Sequence, residues 1–150
     1  MSPENRSHFV YVTFIRTTPA KLWQALTDSK FIHQYWFGST IDSAWHKGAP
    51  WTLKKPDGQT DTTGEILEID PPRRVVIRWQ NERMPELAAD GPSRCTIELE
   101  PKGDAVKLTI SHEIDRPNSK LIKSVSGGWP LVLSNLKSLL ETGAVAITAL

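Results

Sequence analysis

The stretch KLIKSVSGGWPLVLSNLKSLLE, residues 120–141, decides the fold. At about 100° per residue, the angular step of an α-helix, its apolar side chains fall within an arc of about 120°. They are Leu121, Ile122, Val125, Trp129, Val132, Leu133, Leu136, Leu139 and Leu140. Gly143 follows in a position where glycine commonly ends a helix. The stretch therefore predicts one long amphipathic helix, and the rest of the chain must supply the surface that its apolar side covers.

Two glycines and a proline interrupt this helical pattern. Gly127 and Gly128 each disfavour a helix interior by about 1 kcal/mol relative to alanine. Pro130 lacks the N–H that the Ser126 carbonyl would otherwise accept. The sequence therefore predicts a kink, or a short break between two helices, near Pro130. A second interpretation is that Gly128, at the edge of the apolar side, leaves room for a ligand beneath the helix.

Composition restricts the class of protein. The 150 residues suggest one domain, residues 1–150 with a core of about 9–143. With 18 basic residues against 17 acidic ones and no long basic run, a nucleic-acid surface is not expected. Cys95 is the only cysteine, which excludes an intramolecular disulfide. No segment approaches the ~20 apolar residues of a membrane span, and the polar start MSPENRSHF lacks the apolar run of a signal peptide. A cytoplasmic protein is expected.

The chain before the long helix is predicted to be mostly strands. Two short helices, one around Leu22 to Leu26 and one around Phe31 to Tyr35, follow the first strand. A long connection, residues 81–92, contains Met84, Pro85 and Gly91. Short turns join the other strands, so that neighbours should pair antiparallel. The predicted strands are residues 9–16, 40–44, 51–55, 62–69, 74–80, 94–100 and 105–113.

Alternation along the last three strands separates an apolar face from a polar one. Apolar side chains, with His112 among them, share one phase. The residues of this phase are Val75, Ile77, Trp79, Cys95, Ile97, Leu99, Val106, Leu108, Ile110 and His112. Charged and hydroxyl side chains occupy the opposite phase. This pattern predicts an α+β fold, a curved antiparallel sheet of about seven strands whose concave face covers the long helix.

Four segments carry a resemblance to a known family. They are residues 18–36 (TPAKLWQALTDSKFIHQYW), 64–79 (GEILEIDPPRRVVIRW), 108–113 (LTISHE) and 128–143 (GWPLVLSNLKSLLETG). With the order of the predicted elements, they resemble the START-like (Bet v 1-like, SRPBCC) superfamily, and within it the subfamily related to the activator of heat-shock protein 90 ATPase. The resemblance implies a helix-grip fold. Pro130 departs from the subfamily pattern.

The resemblance also implies a function. It implies binding of a small hydrophobic molecule, lipid-, sterol- or polyketide-like, in a cavity between the sheet and the long helix. Aromatic side chains suit such a pocket. The predicted ligand-binding residues are Trp36, Trp51, Leu67, Trp79, Cys95, His112, Gly128, Trp129 and Leu133. We expect Cys95 to be a small buried hydrophobic residue rather than a nucleophile, and we expect no cofactor.

The histidines do not form a metal site in the sequence. His8, His33, His46 and His112 lack the paired spacing of metal ligands. A triad of Ser111, His112 and Glu113 fails because adjacent strand residues point to opposite faces. His112 itself is either a core histidine with satisfied nitrogens or a polar anchor for a ligand.

Two other functions remain open from the sequence. Glu65 shares its phase with Leu67 and is expected to point inward, unless a bulge at Gly64 reverses it. With His112 it would then serve as acid or base in an enzyme of the aromatase/cyclase kind, which the superfamily also contains. The subfamily name implies a third function, a chaperone cofactor with a chaperone partner. The oligomeric state expected is a monomer or a weak homodimer.

Overall fold

The computed structural model describes residues 5–150, and residues 1–4, the first part of the polar start, lie outside it. Its elements follow the predicted order of strand, two helices, strands and a long helix. In chain order they are β1 (Ser7–Ile15), α1 (Pro19–Thr27), α2 (Ser29–Tyr35), β2 (Thr40–Ser43), β3 (Pro50–Lys54), β4 (Thr60–Asp70), β5 (Arg74–Asn81), α3 (Pro85–Ala88), β6 (Ser93–Lys102), β7 (Ala105–Ile114) and α4 (Lys120–Thr142). The short helix α3, within the long connection, was not predicted.

The seven strands form one antiparallel sheet in the order β1-β7-β6-β5-β4-β3-β2. Consecutive strands from β2 to β7 are neighbours, while β1 joins the far side of β7. The predicted inward residues of β5, β6 and β7, from Val75 to His112, are buried. Because α4 packs on β1 and β7, the α+β arrangement of a curved sheet around one long helix is confirmed.

The helix α4 runs without interruption from Lys120 to Thr142, so that of the two alternatives predicted at Pro130, a kink or a short break, the break is wrong. Ser119 caps its first turn by accepting a hydrogen bond from the Ile122 N–H at 3.1 Å. Gly143 ends it in the left-handed conformation, at φ 87°. Apolar residues on both sides of Pro130 are buried, including Leu121 and Leu136. This shared burial keeps the two halves in one helix although Pro130 cannot donate a hydrogen bond.

The long connection between β5 and β6 is tied to the start of α4 through Asp90. One carboxylate oxygen of Asp90 accepts hydrogen bonds from the Ser119 hydroxyl at 2.6 Å and the Leu121 N–H at 3.0 Å. The other oxygen lies 3.2 Å from the Arg116 guanidinium. Burial raises the pKa of Asp90, but these hydrogen bonds and the charge of Arg116 outweigh it and lower the pKa below its usual range. A negative group at a helix N-terminus also interacts favourably with the helix dipole.

The other end of α4 is tied to the end of β1. Lys137 donates to the Phe14 carbonyl at 2.5 Å, and Glu141 accepts from the Arg16 N–H at 2.9 Å. Lys137 and Glu141 also pair with each other at 2.7 Å. The helix is therefore held to the sheet by polar contacts at both ends and by apolar packing between them.

A bulge in β4 overturns two sequence predictions. The register shifts between Ile66 and Glu68, so that Ile66 is buried and Glu65 is exposed. Leu67 lines a groove on the opposite face of the sheet, together with Arg78 and Glu113. The inward orientation predicted for Glu65 and Leu67 is therefore wrong. Simple alternation fails here because a bulge changes the phase of a strand.

No helix within residues 5–150 combines the length and the apolar character needed to cross a bilayer.

Candidate ligand-binding site

A cavity of about 170 Å³ lies between α4 and the β3–β5 part of the sheet, and we call it the outer cavity. Its walls are mostly apolar, and its mouth is polar. The apolar wall consists of Trp36, Leu53, Trp79, Met84, Leu87, Leu121, Val125, Gly128, Trp129 and Val132. The polar residues are Asp61, Thr62, Asn81, Arg83 and Ser124. This combination of an apolar interior and a few polar groups is typical of sites for small molecules.

A second, smaller space of about 20 Å³ lies behind the first, and we call it the inner cavity. Its wall contains no ionised side chain. The lining residues are Leu26, Tyr35, Trp36, Ile41, Trp45, Trp51, Ile77, Trp79, Ile97, Trp129, Val132 and Leu133. Trp36, Trp79, Trp129 and Val132 line both cavities. These four side chains, the partition, therefore separate the two spaces.

The indole rings of the site contact one another in series. The ring centroids of Trp36 and Trp129 are 5.3 Å apart with an edge-to-face geometry, and those of Trp129 and Trp79 are 5.7 Å apart. Trp79 continues to Trp51 at 4.9 Å. Aromatic pairs favour these tilted and edge-to-face arrangements because the ring face is negative and the edge positive. Packing of this kind holds the partition in place between the sheet and α4.

His112 lies behind the partition in a closed series of hydrogen bonds. The Trp129 indole N–H donates to His112 Nδ1 at 3.3 Å, and Nδ1 must therefore be an acceptor. The neutral ring then carries its proton on Nε2, which donates to the Ser93 hydroxyl at 2.8 Å. Ser93 in turn donates to the Trp79 carbonyl at 3.2 Å. Both ring nitrogens are satisfied, and the network fixes the Trp129 ring.

Burial sets the charge of His112. The side chain is 0% exposed, and this desolvation lowers its pKa from 6.5 to about 3. A neutral imidazole with both nitrogens engaged is a poor acid or base near neutral pH. Glu65, the expected partner of His112, is exposed and does not contact the buried imidazole. The predicted pairing of His112 with Glu65 is therefore wrong.

A protein-family model described as activator of Hsp90 ATPase homolog 1-like protein, AHSA1, matches residues 16–141. The chain belongs to the AHSA1 family. The resemblance found in the sequence is thereby confirmed. No curated protein sequence matches the chain.

Solved structures share the AHSA1-family fold of this chain. Protein MLL2253 from Mesorhizobium loti is 23% identical with a TM-score of 0.77, over 90% of this chain and 97% of that one. PFC0360w, an HSP90 activator from Plasmodium falciparum, is 23% identical with a TM-score of 0.72, over 89% and 95%. An Aha1 dimer from Colwellia psychrerythraea is 21% identical with a TM-score of 0.72, over 91% and 98%. At these identities the likeness shows the fold alone.

The predicted site residues of this AHSA1-family chain fall into four groups. Trp36, Trp79, Gly128 and Trp129 line the outer cavity, and Trp51 and Leu133 line the inner one. Cys95 and His112 are buried but line neither cavity. Burial raises the pKa of the Cys95 thiol, which keeps it protonated. Leu67 lies on the other face of the sheet.

Sequence reasoning missed the residues at the mouth of the outer cavity. Asn81 accepts hydrogen bonds from the backbone N–H groups of Arg83 and Met84 at 3.1 and 2.9 Å, and this shapes the start of the long connection. Arg83 then pairs with Asp61 of β4 at 2.8 Å. The available signal was the length of that connection, since long loops frequently line functional sites.

Gly128 lies on the wall of the outer cavity, whereas Gly127 does not. A Cβ atom built on either glycine meets no atom within 4 Å outside its own helix neighbourhood. The absence of a side chain at 128 therefore leaves space at the cavity wall, and the same absence at 127 leaves space in an exposed part of the helix. The two adjacent glycines differ in location but not in chemistry.

Proposed function

We infer that the protein binds a small hydrophobic molecule with one or two rings in the outer cavity. The observation that carries this inference is the volume of about 170 Å³ beside an aromatic wall. An apolar protein cavity of about 150 Å³ accommodates benzene, whereas pockets for drug-sized ligands occupy about 300–1,000 Å³. A ring system therefore suits the observed volume better than a sterol, which would require α4 to move.

The lining chemistry supports the same function. Trp36, Trp79 and Trp129 offer ring faces and edges to an aromatic or alicyclic ligand. The pair of Asp61 and Arg83 keeps charge at the mouth and away from the interior. Membership of the AHSA1 family agrees with this proposal through the hydrophobic-ligand binding that the START-like resemblance implies.

Native mass spectrometry and calorimetry of the purified protein test the proposal. We expect a co-purified small molecule, or, in the empty protein, saturable binding of indane measured by calorimetry. Gly128→Leu should reduce the affinity for indane at least tenfold, because the new side chain would occupy the cavity wall. Gly127→Leu is the matched control, since it makes the same change at the neighbouring exposed position and should leave the affinity unchanged.

The competing outcomes are distinct. Equal affinity for indane in the parent and in folded Gly128→Leu would remove the outer cavity as the binding site. Loss of binding in both glycine variants would indicate a general effect on α4 rather than filling of the cavity. Absence of both a co-purified molecule and indane binding would contradict the proposed function.

The enzyme and chaperone hypotheses have less support from the geometry. An aromatase/cyclase mechanism through His112 and Glu65 would require both side chains to contact one substrate. The two side chains lie on opposite faces of the sheet. The activator role described for the Plasmodium protein does not transfer at 23% identity. The cytoplasmic location and the monomer or weak homodimer stay predictions, although the Colwellia relative is described as a dimer.

A further inference from the structure

Trp51 holds a polar atom that the fold leaves unsatisfied. Among residues 5–150, its indole Nε1 is the one fully buried side-chain nitrogen or oxygen without a hydrogen-bond partner. The side chain is 1% exposed and lines the inner cavity. Folded proteins pair nearly all buried donors, and an exception therefore requires an explanation.

The inner cavity does not supply an acceptor for this N–H. Its wall is apolar apart from the indole groups and Tyr35, whose hydroxyl donates to the Ala25 carbonyl at 2.8 Å. A volume of about 20 Å³ is enough for one water molecule. A buried water needs two to four polar partners, and the Trp51 N–H with the lone pairs of the Tyr35 hydroxyl would bring it only near the lower limit. The indole of Trp129, by contrast, already has its acceptor in His112.

We propose that the ligand carries an uncharged hydrogen-bond acceptor, a carbonyl or ether oxygen, that accepts the N–H of Trp51. The ligand enters from the outer cavity, and rotation of the Trp36 side chain, the one ring of the partition that is only partly buried, joins the two spaces while Trp129 keeps its hydrogen bond to His112. The class of ligand is thus a planar ketone or ether with one or two rings. This inference rests on the proposed function and specifies the ligand of the same site.

The acceptor is uncharged because the inner cavity provides no cation to balance a charge. The inner cavity has no lysine or arginine in its wall, and His112 behind the partition is held neutral by burial. A carboxylate or phosphate placed there would lose its hydration without a compensating partner. A carbonyl oxygen, in contrast, loses far less hydration free energy than an ion, and the loss is offset by a hydrogen bond from an N–H that has no partner in the empty protein.

The pair 1-indanone and indane tests the proposal, because the two molecules share one skeleton and differ by the carbonyl group. Calorimetric affinities of both are measured for the parent and for Trp51→Phe, which keeps an aromatic ring and removes the N–H. The difference between the two molecules in transfer from water is the same for both proteins, so it cancels when the ratio of the two affinities is compared between the parent and Trp51→Phe. We expect the preference for 1-indanone over indane to fall roughly tenfold in Trp51→Phe. Trp23→Phe is the matched control, since Trp23 lines neither cavity.

A second measurement does not depend on the stability of the variant. In the assigned ¹⁵N–¹H spectrum of the parent, 1-indanone should move the Trp51 indole resonance downfield, and indane should not. Binding of both probes with an unchanged preference in folded Trp51→Phe, or a Trp51 resonance that 1-indanone leaves in place, would overturn the inference and leave the proposed function intact. Failure of both probes to bind the parent would contradict the proposed function and the inference with it.

Discussion

At the scale of single residues, the core of the site depends on the direction of three hydrogen bonds. Trp129 can only donate, and its contact with Nδ1 therefore fixes the tautomer of His112 and, through it, the orientation of the Ser93 hydroxyl. Protonation of His112 would remove the acceptor of Trp129 and place two donors against each other. The network is therefore stable only with a neutral imidazole.

This protonation state predicts a dependence of stability on pH. The pKa of His112 is lowered to about 3 in the folded protein, whereas an unfolded histidine titrates near 6.5. The unfolded state therefore binds a proton first as the pH falls, so that the stabilisation is complete above about pH 6.5 and is lost below it by about 1.4 kcal/mol per pH unit. Between pH 7 and pH 5, the free energy of unfolding of the parent should fall by about 2 kcal/mol more than that of His112→Gln.

Urea denaturation at the two pH values measures this difference. The window ends at pH 5 because most carboxylates titrate below it. If the parent and His112→Gln lose equal stability over this window, His112 is not held neutral by the fold.

The sequence predicted part of this residue-scale picture. Alternation placed His112 on the apolar face, and a core histidine with satisfied nitrogens was one of the two expectations. Its partners could not be predicted, because Ser93 and Trp129 are distant along the chain and meet only when β6, β7 and α4 assemble. The unpaired N–H of Trp51 could not be predicted from the sequence for the same reason. Whether a buried donor finds an acceptor depends on all the side chains that surround it in the fold.

At the scale of elements, α4 closes the outer cavity and carries part of its wall. Its apolar stripe and its C-terminal end were readable in the sequence, because a 3.6-residue period and a C-terminal glycine are local signals. The cap formed by Ser119 was found only in the structure. The effect of Pro130 could not be read from the sequence, since packing of the helix on both sides of the proline outweighs the loss of one backbone hydrogen bond. A bulge in β4 was considered at Gly64, whereas the observed one lies between Ile66 and Glu68, and the inward orientation predicted for Glu65 and Leu67 was therefore wrong.

The contact between Asp90 and the start of α4 is predicted to stabilise the fold in a charge-dependent way. Hydrogen bonds to a charged group contribute about 1.5–3 kcal/mol, and Asp90→Asn should lower the free energy of unfolding by about that amount at pH 7. The pKa of Asp90 is lowered in the folded protein. Its contribution is therefore present above about pH 4, the value for an unfolded aspartate, and is lost as the pH falls through the folded pKa.

Denaturant melts of the parent, Asp90→Asn and Asp104→Asn test this element. Asp104 is exposed in the turn between β6 and β7 and serves as the matched control, with an expected change within about 0.5 kcal/mol. Equal stability of the two asparagine variants at pH 7 would show that the carboxylate of Asp90 does not hold the connection to the helix.

At the scale of the whole molecule, the fold depends on burial of one helix face against a sheet that curves around it. The order of β2 to β7 and their antiparallel pairing followed from the short connections between them, whereas the position of β1 beside β7 did not. The volume of the outer cavity could not be predicted from the sequence, because it is the space that remains after all side chains have packed. The tryptophans of its wall were predicted, whereas its mouth depends on how the long connection folds against β4.

Leucine substitutions in α4 test the packing of the molecule as a whole. Leu136 is 0% exposed, whereas Leu131 of the same helix is 38% exposed. Leu136→Ala should cost about 2–5 kcal/mol of unfolding free energy in denaturant melts. Leu131→Ala, the same chemical change on the solvent side, should stay within about 0.5 kcal/mol. A loss below half a kcal/mol at Leu136 would contradict the packing of the helix on the sheet.

The series of indole rings from Trp36 through Trp129 and Trp79 to Trp51 has an optical consequence. Ring centroids separated by 5.3, 5.7 and 4.9 Å are close enough for their excited states to couple. The near-ultraviolet circular dichroism of the protein then depends on the distances and mutual orientations of neighbouring rings, and not on each ring alone. The protein thus carries an intrinsic optical probe of its cavity, since displacement of one ring alters its own signal and that of the rings beside it.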